Sequence, residues 1–364
     1  MKTKKEIIPD KYWPQLSYPL SLADALETLT KQQLTYIRIN LDIGNLSSLN
    51  KQGLILKLAE KIPDNLWVTA RLWDLERSKL VQKIAKNDGL WEKPLLGFQQ
   101  YAYFRERGIL FPGVVDGKRV VIMPDELVQL FKAGEFFKEQ TLVARNTEWI
   151  KLTHGLLYGY GTLRTDELQR YVLSYADHKL APLDMMNIFF DASVYYERFF
   201  IEQNGRLSDY RVVDSEQIVR ERESRPELEF YPFKKHELLK MDDAEYVERN
   251  TPFLNLVRYV MENYDMDRDE AELLAGECAD ATKNGDSLAS IIEMANDFID
   301  MPDLETVAEV TNLLVPLMNH TRQWAIKGHA PMELSAKRAS VGMALSAAPG
   351  QAAKAEVFDF QTKK

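Results

Sequence analysis

One cysteine, Cys278, stands among 364 residues, so no disulfide closes within the chain and no multi-cysteine zinc site can be assembled from it. It sits beside Glu277 and near Asp280, and neighbouring anions raise a thiol pKa, the reverse of what a nucleophilic cysteine needs. Histidine is nearly as scarce. His154, His178, His236, His320 and His329 are scattered, and none has the paired i, i+4 spacing of a helix-borne zinc site. Nowhere do 18 apolar residues run together, so no membrane span is expected. The opening Met1-Lys-Thr-Lys-Lys-Glu lacks the apolar stretch of a secretory signal, and a cytoplasmic protein is the expectation.

Phosphate-cradling glycine loops are missing too. Gly155, Gly159 and Gly161 match neither a P-loop nor a dinucleotide fingerprint. Gly-x-Ser-x-Gly does not occur, which removes support for a nucleophile elbow. Asp265-Met-Asp267-Arg-Asp269 opens like a calcium loop, but Glu270 and Gly276 occupy the positions that need glycine and a bidentate Glu. Acids at a helix N-terminus account for the same letters. No metal and no cofactor are therefore expected, and the sequence points away from an enzyme. An enzyme remains the third reading, with Asp242, Asp243, Glu245 and Glu248 converging only in three dimensions.

What is present begins with a hairpin. Ile109-Leu110-Phe111 and Val120-Val121-Ile122 flank Asp116-Gly117, and Asp-Gly between β-branched runs is the strongest short-range hairpin signal. Helices are expected over 51–62, 64–72, 74–87 and 95–107 before it, with Pro63 at a helix start and Ser21 as an earlier N-cap. Helix-helix-helix-hairpin is the order of a winged helix. A second pass follows: helices over 146–160, 166–175 and 182–203, then short strands from Leu207, Tyr210, Val212 and Val213, and a helix capped by Asp214. From Arg225-Pro226 the chain reads as all-helical, with segments near 234–240, 243–263, 267–284, 287–299 and 303–327. After Leu334 the composition turns to Ala, Ser, Gly and Lys, too poor in large apolar residues to offset ordering entropy.

The expected organisation is thus mainly α with short β-hairpins: an N-terminal helical segment (1–62), two winged-helix-like units (63–135 and 140–225), an acidic helical domain (226–334) and a flexible tail (335–364). Charge sharpens the division. Residues 236–334 carry 21 Asp and Glu against 7 Lys and Arg, whereas residues 335–364 carry 2 against 5. Such a segregation speaks to partners rather than fold, and it turns the acidic region away from nucleic acid.

If the first unit touches nucleic acid, its third helix offers Gln99, Gln100, Arg105 and Arg107, and its wing offers Lys118 and Arg119. Amides and guanidiniums pair with base edges, and Lys or Arg with phosphates. Arg322, Trp324 and Lys327 are the candidates for a protein contact, since exposed Trp and Arg are favoured at binding hot spots. A fixed helix stop at Gly328, with Trp324 anchored in the core, is the competing reading of that block.

Leu156-Leu157-Tyr158-Gly159-Tyr160-Gly161-Thr162-Leu163 and Asn319-His320-Thr321-Arg322-Gln323-Trp324-Ala325-Ile326-Lys327-Gly328-His329 carry a resemblance. With Gly108-Ile109-Leu110-Phe111-Pro112 and Met123-Pro124-Asp125-Glu126-Leu127, they resemble a set of uncharacterised cytoplasmic proteins of low-GC Gram-positive bacteria and their mobile elements. Many of those end in a SecA-type zinc knuckle, which this cysteine-free tail lacks. The resemblance brings no activity with it. The expected function is a non-enzymatic binding or adaptor protein, contacting nucleic acid (if at all) through the first unit and a protein partner through the acidic domain. The alternative is a purely protein-directed inhibitor or adaptor encoded by a mobile element.

Overall fold

The computed structural model describes residues 9–92, 96–134, 140–177 and 182–336. The tail from residue 337, with Phe358 and Phe360, lies outside them, as do Leu95 and His178. The described residues are mainly helical, with two small antiparallel sheets of three strands each among them.

Ser21 caps α1 (Leu22–Glu27) by accepting from the Asp24 amide, and Thr30 and Gln33 close a capping box on α2 (Lys31–Asn40). Helix α3 runs Lys51–Asn65, straight through Pro63, which the sequence placed at a helix start. Proline removes one rung of the ladder, but it falls in the last turn, and Leu54, Ile55, Leu58 and Ile62 bury one stripe ahead of it, so packing outweighs the loss. After the short α4 (Trp67–Ala70), Asp74 caps α5 (Leu75–Lys86). Strand β1 (Leu90–Trp91), α6 (Phe98–Arg105), β2 (Phe111–Val115), β3 (Lys118–Ile122) and α7 (Asp125–Lys132) follow. The turn residues Asp116 and Gly117 both have positive φ, 49° and 75°, as a type I′ turn requires. β3 pairs with β1 on one side and β2 on the other. The outer edge of β2 is covered by Pro14 to Leu16 through bonds to Val114, which protects an otherwise open strand edge.

The second unit repeats the strand order. Helix α8 (Gln140–Tyr160) leads to β4 (Thr162–Arg164), α9 (Thr165–Tyr175) and α10 (Pro182–Tyr196), then β5 (Phe199–Ile201), β6 (Arg206–Asp209) and α11 (Ser215–Glu223), with β6 central. Helix α10 ends earlier than expected. Glu197 turns left-handed (φ 51°), and Phe199-Phe200-Ile201 forms a strand with Asn204-Gly205 as the hairpin turn. A three-residue apolar run fits helix and strand periods equally, so the shift is physically unsurprising.

Helices α12 (Lys235–Lys240), α13 (Thr251–Asn263), α14 (Arg268–Asn284), α15 (Leu288–Asn296) and α16 (Leu304–His320) follow, with a 3-10 turn at Trp324–Ile326 after them. Asp267 and Glu270 form the capping box of α14, so the calcium-like letters do start a helix. Helix α16 stops at His320, short of residue 327: Thr321 is extended and donates its hydroxyl to the Leu317 carbonyl. A loop then closes by a bridge between Gln323 and His329.

One core gathers Leu22, Leu54 and Ile62 together with Phe104, Phe111 and Val121, so residues 22–62 pack as part of the hairpin unit. A second lies around Trp149, Leu157, Phe189 and Leu207, and a third around Phe253, Leu274 and Leu314. Gly155 marks where α8 and α12 meet. A Cβ there would stand 2.2 Å from the Leu238 carbonyl oxygen, which is backbone and yields little. Gly155→Ala is expected to destabilise the protein by about 1–3 kcal/mol, read as a lowered denaturant midpoint at unchanged slope.

Candidate partner-binding groove

Helix α6, the one expected to face a ligand, faces α10 instead. Helix α10 packs against both α6 and α8, and its Asp191 lies at the centre of a buried network. Asp191 accepts from Arg77 Nη1, from Arg107 Nη2 at 3.0 Å and from the Tyr103 hydroxyl at 2.9 Å. Arg107, expected on an open groove-reading face, is buried: its Nε donates to Thr69 Oγ1, its Nη1 to the Tyr103 carbonyl, and it lies 3.6 Å from the Tyr103 ring centre. The other five candidates are spread over more than one place, although Arg105 and Arg119 both lie against the segment from Asp10 to Trp13. Gln99 is half-buried. Gln100 accepts from the Gly97 amide and borders a cleft beside Asp74 and Arg198. Arg105 borders a different cleft and stacks on Tyr12. Lys118 and Arg119 stay exposed at the hairpin, near Glu92 and paired with Asp10 respectively.

The proposed protein contacts are likewise turned inward. Trp324 is fully buried; its Nε1 donates to the Tyr158 carbonyl, and its ring fills the space a Cβ at Gly161 would need. Arg322 holds Glu333 through two bonds and lies 3.7 Å from the Tyr231 ring centre. Lys327 donates to the carbonyls of Arg225 and Leu228. The block is a clasp between the end of α16 and the second unit.

The four acids considered for an enzyme do not converge as a set: Asp242 and Asp243 border one cleft with Asp74 and Glu76, while Glu245 lines another. Asp242 accepts from buried His154 Nδ1 at 2.8 Å and pairs with Lys151, whereas Glu248 faces Arg322. Burial dominates at His154 and lowers its pKa, so it is neutral near pH 7. Burial opposes Asp242, but the His154 hydrogen bond and Lys151 outweigh it and its pKa falls. Among the described residues no group of three or more His, Cys, Asp or Glu is placed to hold a metal ion. No helix among them is long and apolar enough to cross a membrane. Cys278 is buried, with its thiol pushed up to about 12 by burial and then by Glu277.

Several clefts open on the described residues, and one of them is strongly acidic. A groove of about 610 Å³ runs along α14, lined also by Tyr210, Val213, Tyr246 and Val247. Ala271, Leu274, Ala275, Cys278 and Thr282 put the opposite face of α14 into the third core. The groove face is Asp269, Glu272, Leu273, Gly276, Glu277, Asp280, Ala281 and Asn284, a single stripe at helical spacing. At Gly276 a Cβ would meet nothing within 4 Å, so the middle of the stripe is shallow and bare. Six carboxylates line it (Glu245, Asp269, Glu272, Glu277, Asp280, Asp286) against two arginines. Both arginines are already paired, Arg211 with Asp209 and Asp280, and Arg249 with Glu272. The Glu277 pKa is raised, by burial first and then by the like charge of Asp280. Val213 is 87% exposed and Tyr210 50%, an apolar rim beside the acids.

Sequence reasoning located the acid excess without the groove, because its walls come from residues far from α14 in the chain. The second stripe on α14 was the available signal. No family model matches the chain, and neither a curated protein nor a solved structure matches it.

Proposed function

We propose that this protein is a non-enzymatic adaptor that binds a basic, apolar-bearing segment of a protein partner along α14. Its scaffold is read as two winged-helix-like units whose third helices pack on one another. The repeated strand order, β1-β3-β2 and β4-β6-β5, supports that reading of the scaffold. The observation that carries the function is the open stripe of α14, on which acids alternate with Leu273, Gly276 and Ala281, beside the rings of Tyr210 and Tyr246. Cationic side chains answer the acids, and complementary potentials of this kind set encounter rate and specificity. Arg107 and Trp324 are buried, and Arg322 and Lys327 are bonded within the fold, while Lys118 and Arg119 stay exposed. The acidic groove is what favours the protein-directed alternative over a nucleic-acid contact.

The test is a fluorescence titration with a synthetic Lys- and Arg-rich peptide carrying phenylalanine. Reversing two acids, Asp269→Lys with Glu277→Lys, is expected to weaken binding about tenfold or more, and added salt weakens it further. A bound cation favours ionised Glu277. Affinity is therefore expected to fall as pH drops through the raised pKa of that carboxyl, above its ordinary 4.5. Binding insensitive to both reversals overturns the proposal. So does tight duplex DNA binding with a steep salt slope that Lys118→Glu and Arg119→Glu remove.

A further inference from the structure

We infer that residues 337–364 of this same chain occupy the α14 groove in cis and compete with the partner for it. The inference rests on the reading of the groove given above and adds a regulation to it.

Three observations converge. The first is charge. The segment holds Lys337, Arg338, Lys354, Lys363 and Lys364 against Glu356 and Asp359, and it adjoins the most acidic stretch of the chain. The second is shape. Phe358 and Phe360 provide apolar anchors among Ala, Ser and Gly residues, and small side chains suit a floor whose centre is Gly276 and Ala281. The third is the tether. Glu333 is held by Arg322, and Arg322 Nε lies 3.8 Å from Glu248. Glu248 sits between Val247 and Arg249, both of which line the groove. The chain therefore leaves its last described turn beside the groove wall. Extended at about 3.3 Å per residue, the segment from 337 to 364 far exceeds α14, whose 17 residues span about 25 Å.

Tethering changes the arithmetic of competition. A short linked segment meets its site at an effective concentration on the order of 1 mM. If its isolated Kd is about 100 µM, it fills the groove and weakens an outside ligand about tenfold. The full chain then binds basic segments only when they outcompete its own.

The experiment uses the full chain and the same fluorescent Lys- and Arg-rich peptide. A variant carrying Phe358→Ser, Phe360→Ser, Lys363→Glu and Lys364→Glu is expected to bind the peptide about tenfold more tightly than the unaltered chain. Adding Asp269→Lys and Glu277→Lys to that variant should abolish the gain. A photo-crosslinking residue at position 358 should, in the monomer, mark peptides from Arg268–Asn284. If the tail variant binds the peptide no better than the unaltered chain, and crosslinks fall elsewhere, the cis inference is wrong. Should the groove reversals still weaken binding in that case, the reading of the groove stands. If they too have no effect, both fail.

Discussion

Replacing Asp191 by alanine is expected to lower the stability of the fold by about 3–5 kcal/mol, the cost of leaving buried charge without its partner. The carboxylate is buried and answers two guanidiniums that are themselves buried, Arg77 and Arg107. Arg77 keeps Asp74 as a second partner, through Nε at 3.2 Å. Arg107 keeps a hydroxyl, a carbonyl and the Tyr103 ring but no second carboxylate among the described residues, so most of the penalty falls there. The loss should appear in the denaturant midpoint, with both sheet units responding, because α10 carries Asp191 into contact with the first core. Arg107→Ala should cost less than Asp191→Ala, since it strands no charge of its own and Arg77 still answers the carboxylate. Equal stability of Asp191→Ala and the unaltered protein would mean that α6 and α10 are not held together in this way.

Trp324→Ala should be nearly as severe, about 3–5 kcal/mol for a fully enclosed aromatic. The indole touches Val212 and Ile218 in a small core of its own, covers Gly161, and satisfies the Tyr158 carbonyl. Arg222 is organised around the same place, donating to the carbonyls of Trp324, Thr162 and Tyr160. Trp324→Phe, which keeps most of the volume but strands a buried carbonyl, should cost about 1–3 kcal/mol. A docking tryptophan would behave in the opposite way, with stability unchanged and partner binding lost.

Elements whose cause is local could be read from the letters. The β2–β3 hairpin follows from two adjacent residues that tolerate positive φ, and the starts of α1 and α11 follow from Ser21 and Asp214 accepting from amides three residues on. Features whose cause lies elsewhere in the chain could not. Arg107 reads as a surface cation until Asp191, 84 residues away, is brought to it. His154 finds Asp242 across 88 residues. The end of α16 is hidden because Trp324-Ala-Ile continues an apolar rhythm, and what folds it back is the bridge between Gln323 and His329 with the Trp324 bond to the distant Tyr158 carbonyl. The groove is an intermediate case: one wall is a periodic stripe visible on α14, while the other walls are assembled by the fold.

The central claim is that the binding face of this protein is the acidic stripe of α14 and not the α6–hairpin surface. Backbone hydrogen exchange with and without the Lys- and Arg-rich peptide tests it most directly. The account predicts slowed exchange along Arg268–Asn284 and in the segment from Ala244 to Arg249, with Phe111–Ile122 unchanged. Protection confined to Phe98–Arg105 and the hairpin, with α14 unaltered, would contradict it.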